Sequence, residues 1–470
     1  MIGVLIICGV VLITHLRFRR DLDRGLAAAV FFLVLLPVEV RLETPGALPE
    51  LTAHRALLLL SAWHVLTRRG RGESENAGRL PLLTLLLLVG VARFFSTMHA
   101  TALVPSIKDL LSFVLEILLF YWVMGSGLRS RAAVAGVVRA AVYAAGIVAG
   151  IATLEKYAGV NYALRLAPDL PDWPNSITAT FRHRILFGYC MAMAFPLALA
   201  LLLLAEPGRQ RRLAWFVVAL LPAACYFGNS RGPWAGLALA GLVMAVAAGP
   251  LIRKRLVFLG VLGALLLATR PGVWETIHSR WEATKTTDTQ KGRSASYRLE
   301  LWRVAFRQLT KSADRFVVGF GGGSLETMDL GSEFELGGSA GALGYTSWDS
   351  EYAADFMKFG ALGLSLEALL YGSLLLLCWR SWRGADPPDR PLLAAGTATV
   401  LVFLWAMTNV AIFNPQLTYL FWTVVAVMAR AAIWARAEAD PPGAPMLATE
   451  ELYPEIEVVE TGVSLPRPWS

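Results

Sequence analysis

Apolar residues fall in blocks of about 16 to 24 positions separated by short polar connectors, the length a helix needs to cross a hydrocarbon core roughly 30 Å thick. Thirteen such blocks are candidate spans, at 2–16, 25–41, 51–66, 80–97, 105–125, 131–153, 185–205, 213–228, 233–251, 255–270, 356–378, 391–412 and 415–435. None alternates with period two, as the strands of an outer-membrane barrel would. Open strands leave backbone groups unsatisfied in lipid. The pattern therefore predicts an all-α, polytopic transmembrane helical bundle of 12 or 13 spans.

The connectors divide into two sets. Alternate short ones are basic, with nineteen arginines or lysines between Arg17 and Arg390, whereas the short connectors of opposite parity hold mainly Arg41 and Arg231. The positive-inside rule assigns the basic set to the cytoplasm and the N-terminus to the outside. Two longer outer loops follow, 154–184 and 271–355, the second too long for an ordinary connection and patterned for a helix of its own. The expected organisation is transmembrane helices over 1–270, a periplasmic loop domain over 271–355, further spans over 356–436 and a disordered cytoplasmic tail over 437–470.

Composition agrees with that pattern. Of 470 residues 56% are hydrophobic and 17% charged, against roughly 25% charged in soluble domains, and the mean hydropathy is +0.54. A cytosolic globular protein is excluded. The net charge of +8 follows from loops facing anionic inner-leaflet lipid, so nucleic acid need not be a partner. Cys8, Cys190, Cys225 and Cys378 lie inside apolar blocks without metal-ligand spacing. No two histidines stand four apart, and there is no Walker loop, zinc motif, nucleophile elbow or dinucleotide fingerprint, so neither metal nor cofactor is expected.

Parity delivers several polar segments to the outer surface. Arg182, His183 and Arg184 precede the seventh span, and Arg231 sits in the short turn after the eighth, where an arginine at the bilayer edge either snorkels or meets an anion. An amphipathic helix is predicted over 296–307, with Arg298 and Trp302 one turn apart. The glycine run 319–323 is either a close approach of backbone N–H groups to a ligand or a flexible turn. The loop ends in Trp348-Asp349-Ser350-Glu351-Tyr352, and Phe359-Gly360 follows. Cations and carboxylates converging on one face suit an anionic, membrane-held substrate, with arginine forks matched to phosphate oxygens. His183 is the single histidine candidate, set against a purely structural hydrogen bond. Lys108, Asp109 and Glu116 within the fifth span pair inside the bundle or mark a transport path.

At these residues the sequence resembles the superfamily of O-antigen ligases and Wzy-type polysaccharide polymerases. Four features carry the likeness: the Phe187-Gly188 stretch after a polar loop, the Asn229-Ser230-Arg231-Gly232 turn, the Tyr297-Arg298 to Trp302 helix with its glycine run, and the polar motif before Phe359-Gly360. They cover roughly 180–365.

The resemblance implies a GT-C-class glycosyltransferase of the bacterial inner membrane, metal-independent, with its active site facing the periplasm. Its donor would be an undecaprenyl-diphosphate-linked glycan and its acceptor a second glycan, with a flippase and a chain-length regulator as partners. Arg231 and Arg298, with Arg182 or Arg184, would hold the diphosphate. Asp349 or Glu351 would take the acceptor proton or orient the sugar, Asp349 with the larger effect, and His183, Tyr352 and Trp302 complete the candidates. Ligases usually carry a histidine-asparagine pair where this chain reads Asp349-Ser350-Glu351-Tyr352, which leans towards a polymerase. A ligase acting on lipid A core or protein, and a polytopic transporter, are the alternatives.

Overall fold

The computed structural model describes residues 2–42, 50–69, 80–161, 177–247, 290–328, 348–386, 389–412 and 414–439, with a few isolated positions between them. The expected span 255–270, apart from Val257 and Gly260, and the tail beyond 439 lie outside the described residues. The protein is an all-α, polytopic helical bundle. Among the described residues five helices are long and apolar enough to cross a membrane, and two shorter ones, Leu83–Met98 and Arg231–Ala247, are apolar as well.

In chain order the helices are α1 (Ile2–Arg20), α2 (Leu22–Leu35), α3 (Ala53–Arg69), α4 (Leu83–Met98) and α5 (Leu103–Ser112). A π-helical turn, Phe113–Leu119, leads from α5 into α6 (Phe120–Gly127). Then come α7 (Arg131–Ala158), α8 (Arg184–Leu204), α9 (Arg209–Phe227) and α10 (Arg231–Ala247). The last group is α11 (Gln290–Leu309), α12 (Ala313–Val318), α13 (Glu351–Arg383), α14 (Arg390–Met407) and α15 (Pro415–Ala439). Two short strands, β1 (Arg41–Leu42) and β2 (Leu51–Thr52), pair antiparallel between α2 and α3.

Helix α8 is apolar all round, as a helix inside a bundle should be, and nearly all of it is buried. It packs against α7, α9, α10 and α14, and Thr399 of α14 bonds the Met193 carbonyl at 2.9 Å. By contrast α13 turns Leu362, Leu369, Leu376 and Trp379 outward, the stripe that a lipid-facing helix presents.

Connector contacts separate two ends. Arg68 donates to the Phe18 carbonyl at 2.7 Å, Ser130 to Asp23 at 3.1 Å and Trp382 to the Ala247 carbonyl at 3.0 Å, while Arg131 pairs with Asp389 at 3.2 Å. These join the basic connectors at one end. The connectors of opposite parity gather at the other, around the cavity described next.

Candidate active site

A cavity of about 460 Å³ opens among the β1–β2 hairpin, α3, α4, α5, the π-helical turn, the start of α13 and the α14–α15 connector. Arg41, Arg55, Arg93, Arg182 and Lys358 line it. So do Glu39, Glu50, Asp109, Glu116 and Glu351. Charges of both signs in equal number are expensive near a membrane unless they compensate one another, and most are seen to do so. Arg55 meets Glu116 at 2.8 Å, Arg41 meets Glu50 at 2.8 Å and Arg93 meets Asp109 at 3.6 Å.

Arg93 is the hub behind this wall. Its guanidinium also reaches Glu367 at 2.9 Å and Asp355 at 3.9 Å, both on α13, and lies over the Phe113 and Phe359 rings at 4.6 and 4.1 Å. One cation thereby joins α4, α5 and α13 where burial makes an unpaired charge costly. Lys358 stands 4.0 Å from Asp355 and lines the cavity.

Of the residues singled out from sequence, Arg182 and Glu351 line the cavity. Glu351 opens α13, and its carboxylate accepts the Ile412 N–H. Arg298 does something different: Nε donates to the Asp349 carbonyl at 3.1 Å and Nη2 to the Asn409 carbonyl at 3.0 Å. It clamps α11 to the entry of α13 and the exit of α14. Arg231 opens α10 beside that point, since the next residue, Gly232, accepts from Trp405 of α14 at 3.0 Å. Tyr352 donates to the Leu404 carbonyl at 3.4 Å. Trp302 is exposed on α11, with its ring centroid 5.9 Å from that of Phe356.

His183 is the N-cap of α8, and its Nδ1 accepts the Ile185 N–H at 3.3 Å. Burial and the adjacent Arg184 hold its imidazole below the usual range, against the opposing pull of Asp349. The neutral ring is what this cap requires. The Arg184 carbonyl packs on Gly228 in the α9–α10 turn. The N-cap position of α13 is Ser350, not Asp349.

The glycine run is a latch. The Phe320 N–H bonds the Met357 carbonyl at 3.1 Å, the Gly321 N–H bonds the Lys358 carbonyl at 2.9 Å, and the Phe320 carbonyl accepts from Thr101 at 3.1 Å. The Gly323 N–H bonds Ser106 Oγ at 3.1 Å, so these groups serve the fold instead of a phosphate. Positive φ values at Gly319 (φ 77°) and Gly321 (φ 95°) explain two glycines of the run, and Gly319 meets Gly360 (φ 65°) back to back. A Cβ on Gly360 would stand 2.5 Å from the Val317 carbonyl oxygen. At Gly360 the helix breaks, which separates the polar entry of α13 from its apolar remainder.

Sequence reasoning missed Arg55 and Arg93 and left Asp109 and Glu116 between pairing inside the bundle and marking a transport path; the structure pairs them with Arg93 and Arg55. The signal was present: a charge inside an apolar block has to find a partner. It does not say which partner, because Arg55 and Glu116 are 61 positions apart.

Residues 214–368 match the family model described as O-antigen ligase. The matched segment runs from α9 into α13 and carries Arg231, Arg298, Trp302, Asp349, Glu351 and Tyr352, but not the helices α3 to α5 or residues 182–184. No curated protein matches the chain.

Proposed function

We propose, from a chain that carries an O-antigen ligase-family domain over 214–368 and so a membrane glycosyltransferase of the ligase/polymerase type, that this protein is a Wzy-type polymerase. It joins undecaprenyl-diphosphate-linked oligosaccharide units at the periplasmic face of the inner membrane. The observation that carries this reading is the meeting of Glu351, from the matched domain, with Arg182 in one cavity at the end of the bundle opposite the basic connectors.

The chemistry asks little of a metal. An acceptor hydroxyl oxygen attacks the anomeric carbon of the donor, the bond from that carbon to the diphosphate oxygen breaks, and the diphosphate leaves with the electron pair. The hydroxyl proton passes to Glu351 or through it to water. Lipid diphosphate is a good leaving group, so the enzyme mainly aligns the two sugars and offsets developing charge. Arg231, Arg298, Arg182 and Arg184 supply that charge. Asp349 lies beside His183 and the Arg298 clamp and orients the acceptor side. A flippase delivering the units and a chain-length regulator are the partners this role requires.

Two measurements test the proposal. In a deletion strain, lipid-linked single repeat units should accumulate; accumulation of long polymer on lipid identifies a ligase, and an unchanged lipid-linked pool contradicts both. In a cysteine-free background, Thr408→Cys should react with an impermeant thiol reagent in spheroplasts and Gln210→Cys should not. Equal labelling overturns the orientation.

A further inference from the structure

The cavity wall has two origins. The matched domain contributes Glu351 and Lys358, whereas the facing wall comes from α3, α5 and the π-helical turn, all outside the match. That facing wall is built around Arg55. Its Nε donates to Glu116 at 2.9 Å, with Nη2 2.8 Å from the same carboxylate oxygen in the ion pair, Nη2 donates to Ser112 at 3.0 Å, and Nη1 donates to the Glu50 carbonyl at 2.7 Å. Of the five guanidinium N–H donors, three are committed to hydrogen bonds, and Nη2 is held in the ion pair as well. Among the described residues, one Nη1 proton and the second Glu116 oxygen have no protein partner. Both side chains are 15% exposed, and the surface they expose lines the cavity.

A locked pair with one donor and one acceptor to spare is complementary to a hydroxyl group, which donates once and accepts as well. It is poorly matched to a diphosphate, which only accepts and would seek net positive charge, while the cations and carboxylates lining the cavity are equal in number. Glu116 owes its place to the π-helical turn Phe113–Leu119, a wide turn that is frequent at functional sites.

We infer that the Arg55–Glu116 pair is an acceptor-sugar subsite, supplied by the N-terminal helices, that reads hydroxyls of the incoming glycan while the matched domain holds the donor and performs transfer. This rests on the glycosyltransferase reading above. It assigns acceptor choice to helices outside the family domain.

The test uses the full-length protein in lipid nanodiscs and two probes: undecaprenyl diphosphate, and the oligosaccharide released by mild acid from the lipid-linked pool of the deletion strain. Wild type should bind both. Glu116→Gln should bind undecaprenyl diphosphate within about twofold of wild type and the oligosaccharide about tenfold or more weakly, the effect of one charge-assisted hydrogen bond. The exchange Arg55→Glu/Glu116→Arg rebuilds the ion pair but swaps donor and acceptor, so it should recover the thermal midpoint without recovering oligosaccharide binding. Oligosaccharide affinity within about twofold of wild type in either folded variant overturns the inference and leaves the pair a stitch between helices. Where neither variant is monodisperse, Glu116→Asp, which withdraws the carboxylate by one methylene, decides on the same criterion. Wild type binding neither probe would instead sink the glycosyltransferase reading itself.

Discussion

The two walls of the cavity hold similar residues in different states. On the N-terminal wall the charges are closed: Arg55 with Glu116 at 2.8 Å and Arg41 with Glu50 at 2.8 Å. On the α13 wall they are looser, with Lys358 4.0 Å from its nearest carboxylate and Glu351 accepting a single backbone N–H. A closed pair keeps one geometry and suits recognition, because little reorganises when a ligand arrives. A group with spare hydrogen-bonding capacity can change partners during a reaction. The difference teaches that the count of charges in a site matters less than how many are already spoken for.

The comparison breaks most completely if the α13 wall is moved. Gly360→Ala places a Cβ 2.5 Å from a backbone oxygen at a φ of 65°, where neither partner is a side chain that can swing away. The expected outcome is loss of monodisperse protein on size exclusion. Leu362→Ala, two residues on and facing outward, should purify normally.

Glu351→Gln sharpens the contrast. It retains the shape of the wall but removes the base, so turnover should fall about a hundredfold, within the range for losing general-base assistance, with undecaprenyl diphosphate binding retained. Transition-state interactions are lost from kcat far more than from ground-state affinity. Asp349→Asn should be the milder change: in the structure the Asp349 carbonyl, not its side chain, receives Arg298. This reverses the order expected from sequence.

Why that order was illegible from sequence is instructive. The motif 348–352 announced a polar entry to a span, and periodicity placed a helix over 296–307 that the structure extends to Gln290–Leu309. Both are local signals. Which carboxylate faces the cavity depends on the break at Gly360 and on a latch to Thr101 and Ser106 more than 200 positions away. No local pattern encodes that distance. The glycine run was visible, but its backbone groups suit a ligand cradle or a latch equally until their partners are known. Arg55 and Arg93 hid inside blocks whose apolar majority defined them as spans, and only pairing across helices shows their purpose.

A smaller effect is expected at the clamp. Arg298→Lys keeps the charge yet cannot span two carbonyls, so one charge-assisted hydrogen bond is lost at a cost of about 1.5 to 3 kcal/mol. Thermal stability should fall accordingly. Turnover should fall more than donor affinity, since α11 no longer fixes the entry of α13. If stability is unchanged and donor affinity alone collapses, Arg298 contacts the diphosphate directly and the clamp is incidental.

The smallest effect concerns His183. Its folded-state imidazole titrates below the usual range, mainly through burial and Arg184, so the unfolded chain binds its proton first as pH falls. The stability this group contributes is therefore full above the ordinary imidazole range and is lost as pH falls from that range through the lower folded-state value. His183→Asn retains an acceptor for the α8 cap and should flatten the acid side of the thermal-stability profile while leaving its neutral value within about 1 kcal/mol. An unchanged acid slope would show that another group sets it.

The central claim, that a mixed-charge cavity joins two lipid-linked glycans, is tested most directly by product analysis on purified protein in nanodiscs. Lipid-linked single repeat units from the deletion strain serve as the only substrate. The expected products are chains of two and more units, with one undecaprenyl diphosphate released for every glycosidic bond formed. Release of undecaprenyl diphosphate without chain growth, or no release at all from protein that binds the units, would contradict it.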